Sequence, residues 1–130
     1  MQTITQILQK LAAFDGVQGC ALVEADTGMV WHYAGPMADM EHVGEAAVEF
    51  WRTQNRVAAQ LGMMGPLKFA SYNYGQRMIG LIPCDPDLSL VLVCVAVSPG
   101  MAWNTWMKEL PALRNAVKQF NAKQTTLSVV

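Results

Sequence analysis

The chain reads as one α+β domain in which a single antiparallel sheet is served by three helices. Three observations predict this. Apolar residues at helical spacing recur in three separated stretches: 3–14, 39–61 and the segment after Ser98. Two continuous apolar runs, 20–23 and 88–97, read as strands covered on both faces. The remaining strand-like segments come in pairs joined by short Asp/Gly turns, without the βαβ repeat of a nucleotide-binding sheet. The order that results is α-β-β-α-β-β-β-α.

The first helix is expected over 3–14, with Ile4, Ile7, Leu8 and Leu11 on one face. Thr3 and Gln6 have the spacing of a capping box, and Gly16 sits where a C-cap belongs. The first strand is centred on 20–23. Asp26-Thr27-Gly28 forms its turn, with Gly28 free to take positive φ. The second strand, 29–34, alternates, with Met29, Trp31 and Tyr33 on one side and Val30 and His32 on the other.

A long helix is expected over 39–61, with Asp39 as N-cap and Glu41 near the positive helix end. Met40, Val43, Ala47, Phe50, Val57 and Leu61 make its apolar stripe, widened by Ala46, Trp51 and Ala58. Strands follow at 67–74, 77–82 and 88–97, with 84–87 as a loop. Leu22, Val91, Val93 and Phe50 are expected to be buried between sheet and helices. Ser98-Pro99 is expected to open the last helix, with Pro99 at its first position. Trp103, Trp106, Met107, Leu110, Leu113, Val117 and Phe120 are its apolar side, and Pro111 should kink or divide it near Leu110. The domain is expected over 1–122, with a tail over 123–130.

A length of 130 residues suits one domain. The chain is 52% apolar and only 15% charged, against about 25% charged in an average domain. Apolar side chains are left over for a partner surface. The net charge is −1 and there is no basic run, which argues against nucleic acid as a partner. No secretory signal is expected at the start, since 1–14 is amphipathic. The run 88–97 is too short to cross a membrane. Cys20, Cys84 and Cys94 fit no C-x-x-C or zinc spacing; the pair inside apolar runs, Cys20 and Cys94, reads as buried and inert. A reducing, cytoplasmic setting is expected.

No catalytic constellation emerges. His32 and His42 stand on different elements, with no ligand at metal spacing. Ser71, Ser89 and Ser98 have no nucleophile setting. Asp85 and Asp87 flank Pro86 as ordinary turn residues, although two acids could also bind a cation. The run 62–65 lacks the Lys and Ser/Thr of a phosphate loop. Trp103 and Trp106 could line an aromatic cage, and their spacing fits a packed helix face as well. Arg52 and Arg56 share one helix surface, either simply solvated or part of a contact surface for a partner. No catalytic, metal-binding or cofactor-binding residue is assigned, and no cofactor is expected.

Gly16-Val17 with Gly19, the Asp26-x-Gly28 turn after an apolar strand, the hairpin at Gly75 and the ten-residue apolar strand after a Pro/Asp loop together resemble the roadblock family of light chains and bacterial regulators. The resemblance spans roughly residues 3–122. It implies a five-stranded antiparallel sheet in the order 2-1-5-4-3. One long helix would cover one face, and the first and last helices the other. It implies no enzymatic site. It implies a dimer joined edge to edge through the third strand, and a small Ras-like GTPase as partner on the side of the paired long helices. The segment 98–111, with two Trp and an internal Pro, departs from a plain closing helix.

Two sets of residues follow. Leu67, Phe69, Tyr72 and Tyr74, on a strand whose one charge is Lys68, would form the dimer edge. Glu41, Glu45, Glu49, Trp51, Arg52 and Arg56 would form the partner-binding face. The expected function is a non-enzymatic dimeric module, in a bacterial-type cytoplasm, that regulates or scaffolds a small GTPase. The alternative is a sensor holding a small apolar ligand between sheet and helices.

Overall fold

The computed structural model describes residues 2–97 and 101–129. Its helices are α1 (Ile4–Ala12), α2 (Met40–Val57), α3 (Trp103–Met107) and α4 (Leu110–Val129), with a 3₁₀ helix (Ala58–Met64) after α2. Its strands are β1 (Val17–Glu24), β2 (Val30–Ala34), β3 (Ala70–Tyr74), β4 (Arg77–Asp85) and β5 (Leu90–Val97). The strands form one antiparallel sheet in the order β2-β1-β5-β4-β3. The expected α+β architecture is present.

The centre of the sheet follows directly from composition. β1 and β5 have almost every side chain buried, as continuous apolar runs require when both faces are covered. Residues alternate between two cores. Cys20, Leu22, Leu92 and Cys94 face α1, α3 and α4. Ala21, Val23, Val91 and Val93 face α2. α2 lies close to the sheet because Gly44 has no side chain: a Cβ there would sit 3.0 Å from the Ala21 Cβ.

The capping box on α1 is complete: the Thr3 hydroxyl accepts the Gln6 N–H, and the Gln6 side chain accepts the Thr3 N–H. The helix ends at Ala13, so Gly16 does not cap it. Gly16 lies in the turn into β1, where its carbonyl accepts the Val97 N–H at 2.8 Å. On α2, Asp39 holds the N-cap position but makes no side-chain capping bond.

The expected alternation along β2 is broken. Leu22 pairs with His32 and Val23 with Val30, so Trp31 is an extra residue at a bulge. Val30 therefore faces α2, while Trp31 packs toward α1 and α4, edge to face with Phe120 at 5.3 Å.

Several boundaries move for a physical reason. α2 stops at Val57 rather than Leu61, and no residue of the 3₁₀ helix is buried. Val57 and Leu61 are exposed: the apolar stripe runs on, but no layer receives it. Gly44 and Val48, absent from the expected stripe, are buried, while Phe50 is only half-buried. β3 starts at Ala70 rather than at 67. β4 extends to Asp85, since Cys84 is buried in the core rather than lying in a loop. β5 starts at Leu90, because Ser89 takes a positive φ of 53° in the preceding turn.

The closing segment divides as Pro111 demands. α3 ends at Met107, and Pro111 is the second residue of α4, where its missing N–H costs nothing. α4 runs on beyond residue 122. The expected helix start at Ser98-Pro99 lies outside the described residues.

Candidate functional site

The outward side of α2 and the β3 edge hold the residues singled out for binding. Glu41, Glu45, Glu49 and Arg56 are exposed on α2, whereas Trp51 and Arg52 are half-buried. Arg52 and Arg56 are not equivalent. The Arg52 Nε donates to the Ala25 carbonyl at 2.7 Å, and its guanidinium is paired with the Glu49 carboxylate. Arg52 thus ties α2 to the β1–β2 turn. Among the described residues Arg56 donates only to the Thr53 hydroxyl one turn back, at 3.3 Å, and it stays on the surface.

β3 is an edge strand, and among the described residues it pairs with β4 alone. The four residues expected along that edge separate. Tyr72 turns toward α2 and stacks on Phe50, with ring centroids 4.2 Å apart and planes 18° apart. Tyr74 is exposed. Leu67 and Phe69 precede the strand. Phe69 packs on the opposite face, edge to face with Trp103 at 5.6 Å.

The segment between α2 and β3 holds a feature that residue spacing did not reveal. Met63 is 83% exposed and Met64 78%, with Leu61 also open to solvent. A cleft of about 730 Å³ runs between the 3₁₀ helix and the approach to β3, lined by Leu61, Met64, Pro66, Leu67 and Phe69 among others. The signal was present as an apolar stripe that continues past the helix end.

The other candidates resolve as structure. Trp106 is fully buried and donates its indole N–H to the Leu11 carbonyl at 3.2 Å, and Trp103 lies edge to face against it. The space between sheet and helices, where the sensor alternative would place a ligand, is occupied by the two apolar clusters. The His32 Nδ1 lies 3.4 Å from the Thr5 hydroxyl. Asp85 accepts the backbone N–H groups of Asp87 and Leu88, which makes the turn, but it is also buried. Among the described residues no group of three or more His, Cys, Asp and Glu could hold a metal ion. All three cysteines are free and buried. Burial pushes the Cys84 thiol up to about 12. The Cys94 thiol is held well above its usual range by a hydrogen bond with Cys20 and by burial. Neither is a thiolate at neutral pH. No helix among the described residues is long and apolar enough to cross a membrane.

These elements define a class: a five-stranded antiparallel sheet with one long helix on one face and the first and last helices on the other. That arrangement is the roadblock fold. A roadblock/LC7 domain from Streptomyces avermitilis superposes with a TM-score of 0.76 at 13% identity, over 93% of this chain and 99% of that one. Myxococcus xanthus MglB gives 0.73 at 11% identity, over 92% and 95%. The gliding protein MglB from Thermus thermophilus gives 0.69 at 13% identity, over 87% of each chain. No protein-family model and no curated protein matches the sequence.

Proposed function

We propose that this chain is a non-enzymatic, dimeric interaction module that binds a small Ras-like GTPase and regulates or scaffolds it in a bacterial cytoplasm. The observation that carries the reading is the unpaired outer edge of β3, whose approach (Leu67 to Phe69) shares a cleft with Leu61 and Met64 of the exposed 3₁₀ helix. A free edge flanked by solvent-exposed apolar side chains is a liability in a monomer. Two-fold pairing of β3 with a second copy would satisfy the backbone groups of that edge and close the assembly. Tyr74, beside the edge, would be covered in the same contact, and Tyr72 would stiffen it from the α2 side.

Such pairing would bring two α2 helices side by side. Their exposed Glu41, Glu45, Glu49 and Arg56 would then form one surface, with Trp51 at its margin. The GTPase assignment rests on the roadblock resemblance and on the gliding protein among the structures that share the fold.

Two measurements test it. Light scattering at micromolar concentration should return twice the chain mass. Capture from native cytoplasm with the purified protein as bait should retain a small GTPase, with a yield that changes on adding GTP analogues. A monomer mass would remove the dimer, and a bait that captures no GTPase would remove the partner.

A further inference from the structure

Where β4 turns into β5, the Asp85 carboxylate is only 5% exposed. Its Oδ1 accepts two backbone N–H groups, from Asp87 at 2.8 Å and Leu88 at 3.2 Å. No ion pair reaches it from the described residues. Every fully buried side-chain oxygen among the described residues has a hydrogen-bond partner. Oδ2 has none, so it is the oxygen that meets solvent. Asp85 lines a cleft of about 190 Å³ together with Trp51, Asn55, Pro83, Pro86 and Ser89. Trp51 and Asn55 stand one turn apart on α2.

The chemistry of this corner is that of a cation site. It combines a carboxylate short of hydration, an indole and apolar walls, and a cation gains from the first two while its alkyl stem suits the third. Among the described residues no basic side chain lines the cleft. Arg52, next to Trp51, is committed to Ala25 and Glu49. Arg114 donates to the Pro83 carbonyl at 3.1 Å. Asp26, hydrogen-bonded to Ser89, and the exposed Asp87 add negative charge nearby.

We propose that this cleft receives a single lysine side chain of a protein partner. Its volume lies below the roughly 300 Å³ at which small-molecule pockets begin, so it suits one side chain. Lysine is favoured over arginine because Oδ1 is already engaged. One free oxygen suits a compact ammonium, whereas a guanidinium fork needs two. The inference deepens the reading of α2 as a partner face by naming what one end of that face recognises.

The test titrates n-butylammonium into the whole protein and follows the Trp51 indole N–H and the Asn55 side-chain amide by two-dimensional NMR. Saturable shifts are expected, with n-butanol giving none and n-butylguanidinium binding more weakly. Asp85→Asn keeps an Oδ1 acceptor for the turn and removes the charge. It should lower the amine affinity at least about tenfold while the spectrum stays dispersed. Trp51→Leu should weaken binding several-fold and leaves the Asp85 turn untouched. Equal shifts with n-butanol, stronger binding of Mg²⁺ than of the amine, or unchanged affinity in a folded Asp85→Asn protein would each overturn the proposal. Failure of the amine titration removes the lysine site alone. Failure of the bait to capture a GTPase bears on the partner reading and not on this chemistry.

Discussion

The Arg52 Nε donates to the carbonyl of Ala25, 27 positions earlier in the chain, at 2.7 Å. A side chain expected on an open helix surface is instead a strut between α2 and the β1–β2 turn. Arg52→Glu should therefore destabilise the fold by about 2 kcal/mol, since it breaks a charge-assisted bond and sets two carboxylates one turn apart. Arg56→Glu should stay within about 0.5 kcal/mol. Urea midpoints of the two single variants check the contrast. Equal midpoints would mean that the Ala25 bond contributes nothing. Partner capture is then tested cleanly with Arg56→Glu, whose fold is expected to be intact.

Phe50 is half-buried and stacked on Tyr72 at the outer end of the sheet. Phe50→Ala should cost about 1–3 kcal/mol, below the roughly 3–5 kcal/mol typical of a fully buried phenylalanine. A double-mutant cycle with Tyr72→Ala should give a coupling of about 0.5–1.5 kcal/mol. Additive losses would show that the rings do not support each other.

Gly35 has a φ of +111°, and a Cβ placed there would meet the Gly19 Cα at 2.7 Å and the Gln18 carbonyl oxygen at 2.9 Å. Both obstacles are backbone. Gly35→Ala should cost about 3 kcal/mol or more, through strain and crowding together. A variant that melts with the wild type would refute the close approach of the β2–α2 turn to β1.

The parts of the fold that were legible in the sequence share one property: their signal is local and dense. β1 and β5 are unbroken apolar runs, the α1 cap is a two-residue motif, and Pro111 divides the last helix by its own chemistry. What escaped depends on distant partners. The periodicity of α2 runs through Val57 and Leu61, but periodicity cannot say where the sheet beneath ends. Gly44 looks like a weak helix residue until Ala21 is seen beneath it. The Trp31 bulge, the Arg52 strut and the burial of Asp85 each arise from a neighbour that spacing along the chain does not reveal. The candidate surface was half visible for the same reason: exposed charge on α2 was legible, but the exposed methionines were hidden next to an expected helix stripe.

The buried cysteines make stability fall on the alkaline side. Burial, partly offset by Arg114 and reinforced by Asp85, lifts the Cys84 thiol from 9.0 to about 12 in the folded chain. Between those values the unfolded chain has lost this proton and the folded chain keeps it. Unfolding therefore releases a proton, and stability drops as pH rises. The full contribution is present below pH 9 and is lost by about pH 12. The slope is about 1.4 kcal/mol per pH unit for this thiol. Cys94, raised through Cys20 and by burial, adds in the same direction. Urea midpoints between about pH 8 and about 10.5 should fall for the wild type, and the fall should be shallower for Cys84→Ala. Comparing the two slopes removes the tyrosines and lysines, which titrate alike in both proteins. Identical slopes would mean that the Cys84 thiol ionises as readily in the folded chain as in the unfolded one.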